Sequence, residues 1–219
     1  MQTQLEEQLL EGCRRLARKE FLNNSADSFS LRIPGQTQMM LISGNEGWRQ
    51  AETADIRVIH FSAKDDLSML HALIYQERSD VGAIAITCPK WVRLLANSGS
   101  PLPPIFDEQV RHIGSSGFLK SDEPMHEECV RQMFRRGGNA VLFGERLLCL
   151  GMTCDRVLFN TELYEKCAQA YVIATACKGR ISHIPFWVRM IANRRLLKDE
   201  ATAAASYRDG RVPQEITAY

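Results

Sequence analysis

Asp80-Val-Gly-Ala-Ile-Ala-Ile-Thr-Cys-Pro-Lys-Trp-Val-Arg-Leu-Leu-Ala96 sets the frame for the rest of the chain. It reads as a strand over Ala83–Thr87, a break at Pro89 and a short helix over Trp91–Ala96. Val81 to Ile86 is apolar except for one glycine and shows no polar alternation. Such a run belongs to a central strand covered on both faces. Pro89 has no backbone donor and stops the ladder. In α/β folds, chemistry gathers at the carboxyl ends of central strands, which here means Thr87-Cys88.

Outward from this core, Leu5, Leu9, Cys13, Leu16 and Ala17 share one face at helical spacing, which predicts an amphipathic helix over 3–19. Asn23 to Asp27 is a turn-rich loop. Ser28–Ile33 and Met39–Ser43 read as a hairpin around Pro34-Gly35, ended by Gly44-Asn45. Asp55–Phe61 is a further strand. Asp65-Asp66 then opens a helix over Leu67–Glu77, because aspartates cap free amides and suit the helix dipole. Gly99-Ser-Pro-Leu-Pro-Pro104 is a rigid loop. A helix is predicted over 121–136, with Ser121 as cap and Glu123-Pro124 in its first turn. Ala140–Phe143 and Leu147–Leu150 are short strands joined by a tight turn at Gly144-Glu145-Arg146. Thr153–Cys177 is the longest helical pattern, with Gly179 placed to end it. A last helix is expected over Phe186–Leu197. The organisation read from these elements is one domain over 1–198 and a polar, Ala-rich tail over 199–219.

Composition narrows the function classes. The chain has 219 residues, 27 Lys+Arg against 26 Asp+Glu, and 45% hydrophobic residues. It therefore carries no basic footprint for nucleic acid and no polybasic membrane segment. No apolar run nears the ~20 residues that span a bilayer. The acidic, amphipathic N-terminus does not read as a signal peptide. The seven cysteines are odd in number and scattered, without a C-x-x-C pair. These features predict a cytoplasmic protein without disulfides.

The stretch from Asp80 also resembles the class II aldolase/adducin family, whose members carry "DVGAVVHTHSPYATALA" at this place. Leu70-His-Ala-Leu-Ile-Tyr-Gln-Glu-Arg-Ser-Asp-Val-Gly-Ala83 is similar to the family's "LHLAIYRARPDVGA", Pro103-Pro-Ile-Phe-Asp-Glu-Gln109 to "IPPVLDEQ", and Asn139-Ala-Val-Leu-Phe143 to "NAVLL". The resemblance runs in order from Leu9 to about Gly179. It implies a single-domain α/β fold with a mixed central β-sheet and helices on both faces. It also implies a homotetramer with sites at subunit interfaces, and a zinc ion that polarises a carbonyl while a Glu moves a proton.

Laid over that pattern, the positions that carry the family's chemistry differ. The two His of H-T-H fall on Ile86 and Cys88, and the third zinc His on Glu145. The acid/base Glu falls on Leu67. Asp65 and Asp66 occupy the place of two phosphate-holding serines, where paired carboxylates would repel an anion. The family's "TSGNIS" loop corresponds to Ser25-Ala26-Asp27-Ser28-Phe29-Ser30, and only Ser43-Gly44 keeps the family's "SG". The candidate catalytic residues are thus Asp65, Asp66, Cys88 and Glu145, and the candidate ligand-binding residues Ser25, Ser28, Ser43 and Gly44. As plain structure, the aspartates are helix caps, Cys88 a packed thiol and Glu145 a surface turn residue. Two metal-binding side chains do not make a catalytic zinc site, so no metal and no cofactor are expected. His71 reads as structural, and the other histidines lack metal-ligand spacing.

Two functions follow. The first is a class II aldolase/adducin-family protein without zinc-dependent aldolase activity, acting in binding or assembly. The second is an aldolase- or lyase-like enzyme with a rebuilt site for a small sugar phosphate or hydroxy-carbonyl metabolite.

Overall fold

A computed structural model describes residues 2–45, 47–63, 66–119 and 127–214. Helix α1 (Gln2–Arg18) leads into strands β1 (Ser28–Arg32), β2 (Gln38–Ser43) and β3 (Arg57–His60), followed by α2 (Asp66–Glu77). Then come β4 (Ala83–Thr87), α3 (Lys90–Ala96), β5 (Ser116–Leu119), α4 (Glu127–Met133), β6 (Ala140–Phe143), β7 (Arg146–Gly151), α5 (Cys154–Ala176) and α6 (Phe186–Arg208). The seven strands form one sheet in the order β3-β2-β1-β4-β7-β6-β5. The pairings are antiparallel except for β5 with β6, so the sheet is mixed. Strand β4 lies at its centre, as its unbroken apolar run requires.

The two-residue period of the strands sorts their side chains into two cores. Ala83 and Ala85 of β4, Met40 and Ile42 of β2, and Leu147 and Cys149 of β7 pack under α1, α3 and α5. Ile84 and Ile86, Met39 and Leu41, and Leu148 and Leu150 pack under α2 and α4. Strand β1 follows the same rule with a twist. Phe29 joins the first core, but Ser28 and Ser30 face α2 and are fully buried. There Ser28 Oγ lies 2.8 Å from His71 Nε2 and Ser30 Oγ 2.7 Å from His71 Nδ1. Ser30 Oγ also meets the Tyr75 hydroxyl at 2.9 Å. The polar alternation of this strand serves an internal network, with both ring nitrogens of His71 engaged. This is the structural role expected for His71.

Several expected elements change at their ends. Helix α5 starts on Thr153, whose hydroxyl accepts from Arg156 N at 3.1 Å. At its C-terminus the left-handed residue is Lys178 (φ 52°), while Gly179 N bonds Ala174 O at 2.8 Å. The helix therefore closes in a Schellman arrangement one residue before the glycine. The helix expected over 121–136 is described only from Glu127 and ends at Met133. Ser121, Glu123 and Pro124 lie outside the described residues. Past Phe134 the chain must bend at Gly137 (φ 83°), where a Cβ would strike Asn193 Oδ1 at 2.4 Å. Strand β5 and the π-helical turn Gln109–Ile113 have no counterpart among the elements expected from periodicity.

Helix α6 departs furthest from expectation. It continues past Leu197 to Arg208, so the boundary placed at 198/199 falls inside a helix. The alanine-rich run has high helical propensity, and Leu196, Glu200, Ala203, Ala204 and Tyr207 form its buried stripe. Glu200 is 0% exposed. Its carboxylate accepts from Arg78 Nη2 at 3.1 Å and from Gly137 N at 3.0 Å. The Tyr207 hydroxyl donates to Met152 O at 2.8 Å, and its ring lies 5.6 Å from the Arg32 guanidinium. A buried Glu gives no apolar signal, which is why the stripe reads as polar in the sequence.

Glu200→Ala would leave Arg78 with Asp80 as its one carboxylate among the described residues and Gly137 N without its acceptor, and is expected to cost roughly 1–3 kcal/mol in urea unfolding. Glu200→Gln, which keeps an acceptor, should cost less. A chain ending at Lys198 should lose at least as much as Glu200→Ala, and a silent truncation would contradict the docking of α6.

Candidate functional site

Strand register lines up one end of the sheet. Ser43 of β2 pairs with Ser28 of β1, Ser28 with Ile86 of β4, and Ile86 with Leu148 of β7. Just beyond this row, and therefore along one edge, come Gly44, Asp27, Cys88 and the Glu145-Arg146 turn. The fold thus gathers residues distant in sequence at the carboxyl end of β4.

The candidate residues meet different fates there. Ser25 is exposed in the loop before β1. Ser28 is spent on His71, inside the protein. Ser43 Oγ accepts a short bond from Arg57 Nη2 at 2.5 Å. Gly44 has φ 71°, and a Cβ there would meet nothing within 4 Å, so the edge is open beside it. Asp65 lies outside the described residues. Asp66 begins α2, but its side chain and that of Leu67 are likewise outside them.

Cys88 is half-buried. Its backbone N bonds Phe21 O at 3.0 Å, and its thiol donates to the backbone carbonyl of Glu145 at 3.5 Å. Burial pushes its pKa up, Asp27 and Glu145 push the same way, and Arg93 and Arg146 pull against them. Cys88 is therefore a neutral thiol, without the lowered pKa of a nucleophilic cysteine. Glu145 meets it through its carbonyl and not its carboxylate.

The residue that organises this edge is Asp27, which the sequence presents only as a lost glycine. Its side chain is 0% exposed. Oδ2 accepts from Asn23 N at 2.8 Å and from Asn24 N at 3.0 Å. Oδ1 is buried without a hydrogen-bond partner among the described residues. Burial raises its pKa, opposed by the two amides and by Arg146. Asn24 Oδ1 takes Ala26 N at 2.9 Å, and Arg146 Nη1 holds Ala26 O at 3.1 Å. The amides of Asn23 and Asn24 are thus already taken by a carboxylate of the same loop. The signal in the sequence is an Asx-rich loop, and burial of its last residue cannot be seen from it.

The chain matches the family model of the Class II Aldolase and Adducin N-terminal domain over residues 7–172. It belongs to the class II aldolase/adducin family. The L-fuculose 1-phosphate aldolase of Glaciozyma antarctica superposes with TM-score 0.74 at 17% identity, over 94% of this chain and 88% of that one. The L-fuculose-1-phosphate aldolase of Thermus thermophilus gives 0.67 at 15% identity, over 83% of this chain and 100% of that one. A sugar-phosphate aldolase of Thermotoga maritima gives 0.63 at 16%, over 83% and 98% respectively. At such identities these likenesses concern the fold. No curated protein matches the chain in sequence.

The zinc implied by the resemblance does not fit the aligned side chains. Ile86 has no donor atom and packs in the α2 core beside Ile84 and Leu148. Cys88 and Glu145 supply at most two ligands, whereas a catalytic zinc takes three from the protein. Among the described residues, no group of three or more His, Cys, Asp or Glu is placed to hold a metal ion.

Two buried histidines make the family fold acid-sensitive. Burial lowers the pKa of His71 to about 3. Burial, then the charges of Arg156 and Arg111, lower that of His112 to about 4 against the pull of Asp199. The unfolded chain takes up both protons near pH 6.5. The stability they contribute is therefore complete above that pH and is lost as pH falls toward 4 and 3. Glu200, raised by burial, acts in the opposite sense. The test is the difference between proteins: Tm should fall less from pH 7 to 5 in His112→Gln than in wild type, and equal slopes would refute the assignment.

Proposed function

We propose that this class II aldolase/adducin-family protein does not run zinc-dependent aldol chemistry at its sheet edge and works as a cytoplasmic, homotetrameric binding or assembly module. The observation that carries this reading is Asp27. Its carboxyl group engages the amides of Asn23 and Asn24 at the position where the family's "TSGNIS" has its glycine. The alkyl side chain of Ile86 and the neutral thiol of Cys88 support the same reading, since neither polarises a carbonyl. All seven cysteines are free thiols, in keeping with a reducing compartment. Among the described residues, no helix is long and apolar enough to cross a membrane.

A second reading keeps catalysis. Cys88 lies half-buried at an open edge between Arg93 and Arg146, so a rebuilt site using Cys88, Glu145 and the Asp65-Asp66 pair would act on a sugar phosphate or hydroxy-carbonyl compound.

Metal analysis of untagged protein together with its mass in solution separates the two. The first reading expects well under one zinc per chain at a mass about four times 24.8 kDa, and no cleavage of sugar phosphates. Near-stoichiometric zinc or turnover abolished by Cys88→Ala or Glu145→Ala would replace it with the second.

A further inference from the structure

A cleft of about 820 Å³ lies between the proline loop Ser100–Pro104, the Gly114–Ser116 turn, the end of α5 and the first turns of α6. It is separate from the sheet edge described above. Register runs from Thr87 opposite Leu147 to Ala83 opposite Gly151, and Gly114 and Gly138 bridge beyond the start of β6. The cleft therefore opens toward the other end of the strands from Cys88. Its size falls within the ~300–1,000 Å³ typical of small-ligand sites.

Its walls are held in place. Gln109 is 1% exposed and accepts from Ile105 N at 3.0 Å while donating to Pro103 O at 3.0 Å. Ile184 N bonds Pro104 O at 2.8 Å, which ties the α5–α6 connection to the same loop. Three prolines restrict that loop further. The surface so fixed is apolar, from Leu102, Val110, Tyr171, Phe186 and Met190. Phe186 is 72% exposed and Met190 39%, so this apolar wall lies open to water.

The charge around it has one sign. Arg136, Arg189 and His183 line the cleft, and no Asp or Glu does among the lining residues. The Arg189 guanidinium lies 5.8 Å from the Phe186 ring and has no carboxylate partner among the described residues. Arg136 stands 4.0 Å from Glu200, whose oxygens are already engaged by Arg78 and Gly137 N. We propose that this cleft binds a small organic anion, its acidic head held by Arg136 and Arg189 and its apolar body laid against Leu102, Tyr171, Phe186 and Met190. Paired guanidinium donors suit a carboxylate, sulfonate or phosphate monoester alike. The proposal is independent of the reading of the sheet edge.

The test is a fluorescence titration of the intact chain with 8-anilino-1-naphthalenesulfonate, an aromatic anion. Binding should saturate at one probe per chain and be reversed by octanoate but not by octanol. Arg136→Gln and Arg189→Gln should each weaken it by about tenfold, the loss of one charged hydrogen bond, with unchanged circular dichroism. Equal affinity in both arginine variants, or equal displacement by octanol, would overturn the proposal. So would a wild type that does not take up the probe. If Met190→Glu then lowered the mass in solution, the occupant of the cleft would be a second copy of the chain.

Discussion

The Arg78 guanidinium is the point on which the assembly of this chain depends. It is almost fully enclosed, with Nε and Nη2 on the two oxygens of Asp80 at 2.9 and 2.7 Å. Nη2 also reaches Glu200 and, at 2.9 Å, Asn139 Oδ1, while Nη1 spans the carbonyls of Phe134, Arg135 and Gly138. One side chain thereby connects the end of α2, the entry to β4, the bend after α4, the start of β6 and the middle of α6. A charge taken out of water is tolerable only when its donors are satisfied this completely. The neighbouring Arg32 follows the same logic with different partners. It donates to the carbonyls of Val81, Tyr75 and Arg78 and lies against the rings of Tyr75, Phe61 and Tyr207. Together the two arginines make α6 part of the domain.

That scaffold leaves the sheet edge free to change. Backbone pairing of β1, β2, β4 and β7 fixes where Gly44, Asp27, Cys88 and Glu145 stand, whatever their side chains are. The chemistry then depends on a few atoms that the fold does not need, so a family fold and a family activity are separable. Here those atoms are an alkyl group, a neutral thiol and a carboxylate turned inward on its own loop. The buried Oδ1 of Asp27 is a cost that the two amides and Arg146 offset only in part.

Six of the seven strands, all but β5, and most helices were legible because each carries its own pattern of apolar residues. Ala83–Thr87 is apolar throughout and turned out to be central, and the face of Leu5, Leu9, Cys13 and Leu16 is the buried face of α1. The resemblance carried by Asp80-Val-Gly-Ala and its neighbours supplied the order of elements. Of the site, the alignment of Ile86, Cys88 and Glu145 with the zinc-ligand positions was readable as sequence, because it concerns residue identity at fixed spacing.

What the chain determined by itself, then, was local: periodicity, turns, and the lack of a donor atom at Ile86, one of the three positions aligned with zinc ligands. Tertiary structure decided the rest. Glu200 reads as a solvated residue in a polar tail until Arg78, over a hundred residues earlier, meets it. Ser28 and Ser30 read as the wet face of a strand until His71 closes over them. Asp27 reads as a loop residue until its carboxylate is enclosed by the amides of Asn23 and Asn24. In each case the residue is polar and its partner lies elsewhere in the fold. A buried hydrogen bond leaves no periodic trace in sequence, and whether a polar side chain faces water or a partner is settled only when the elements pack.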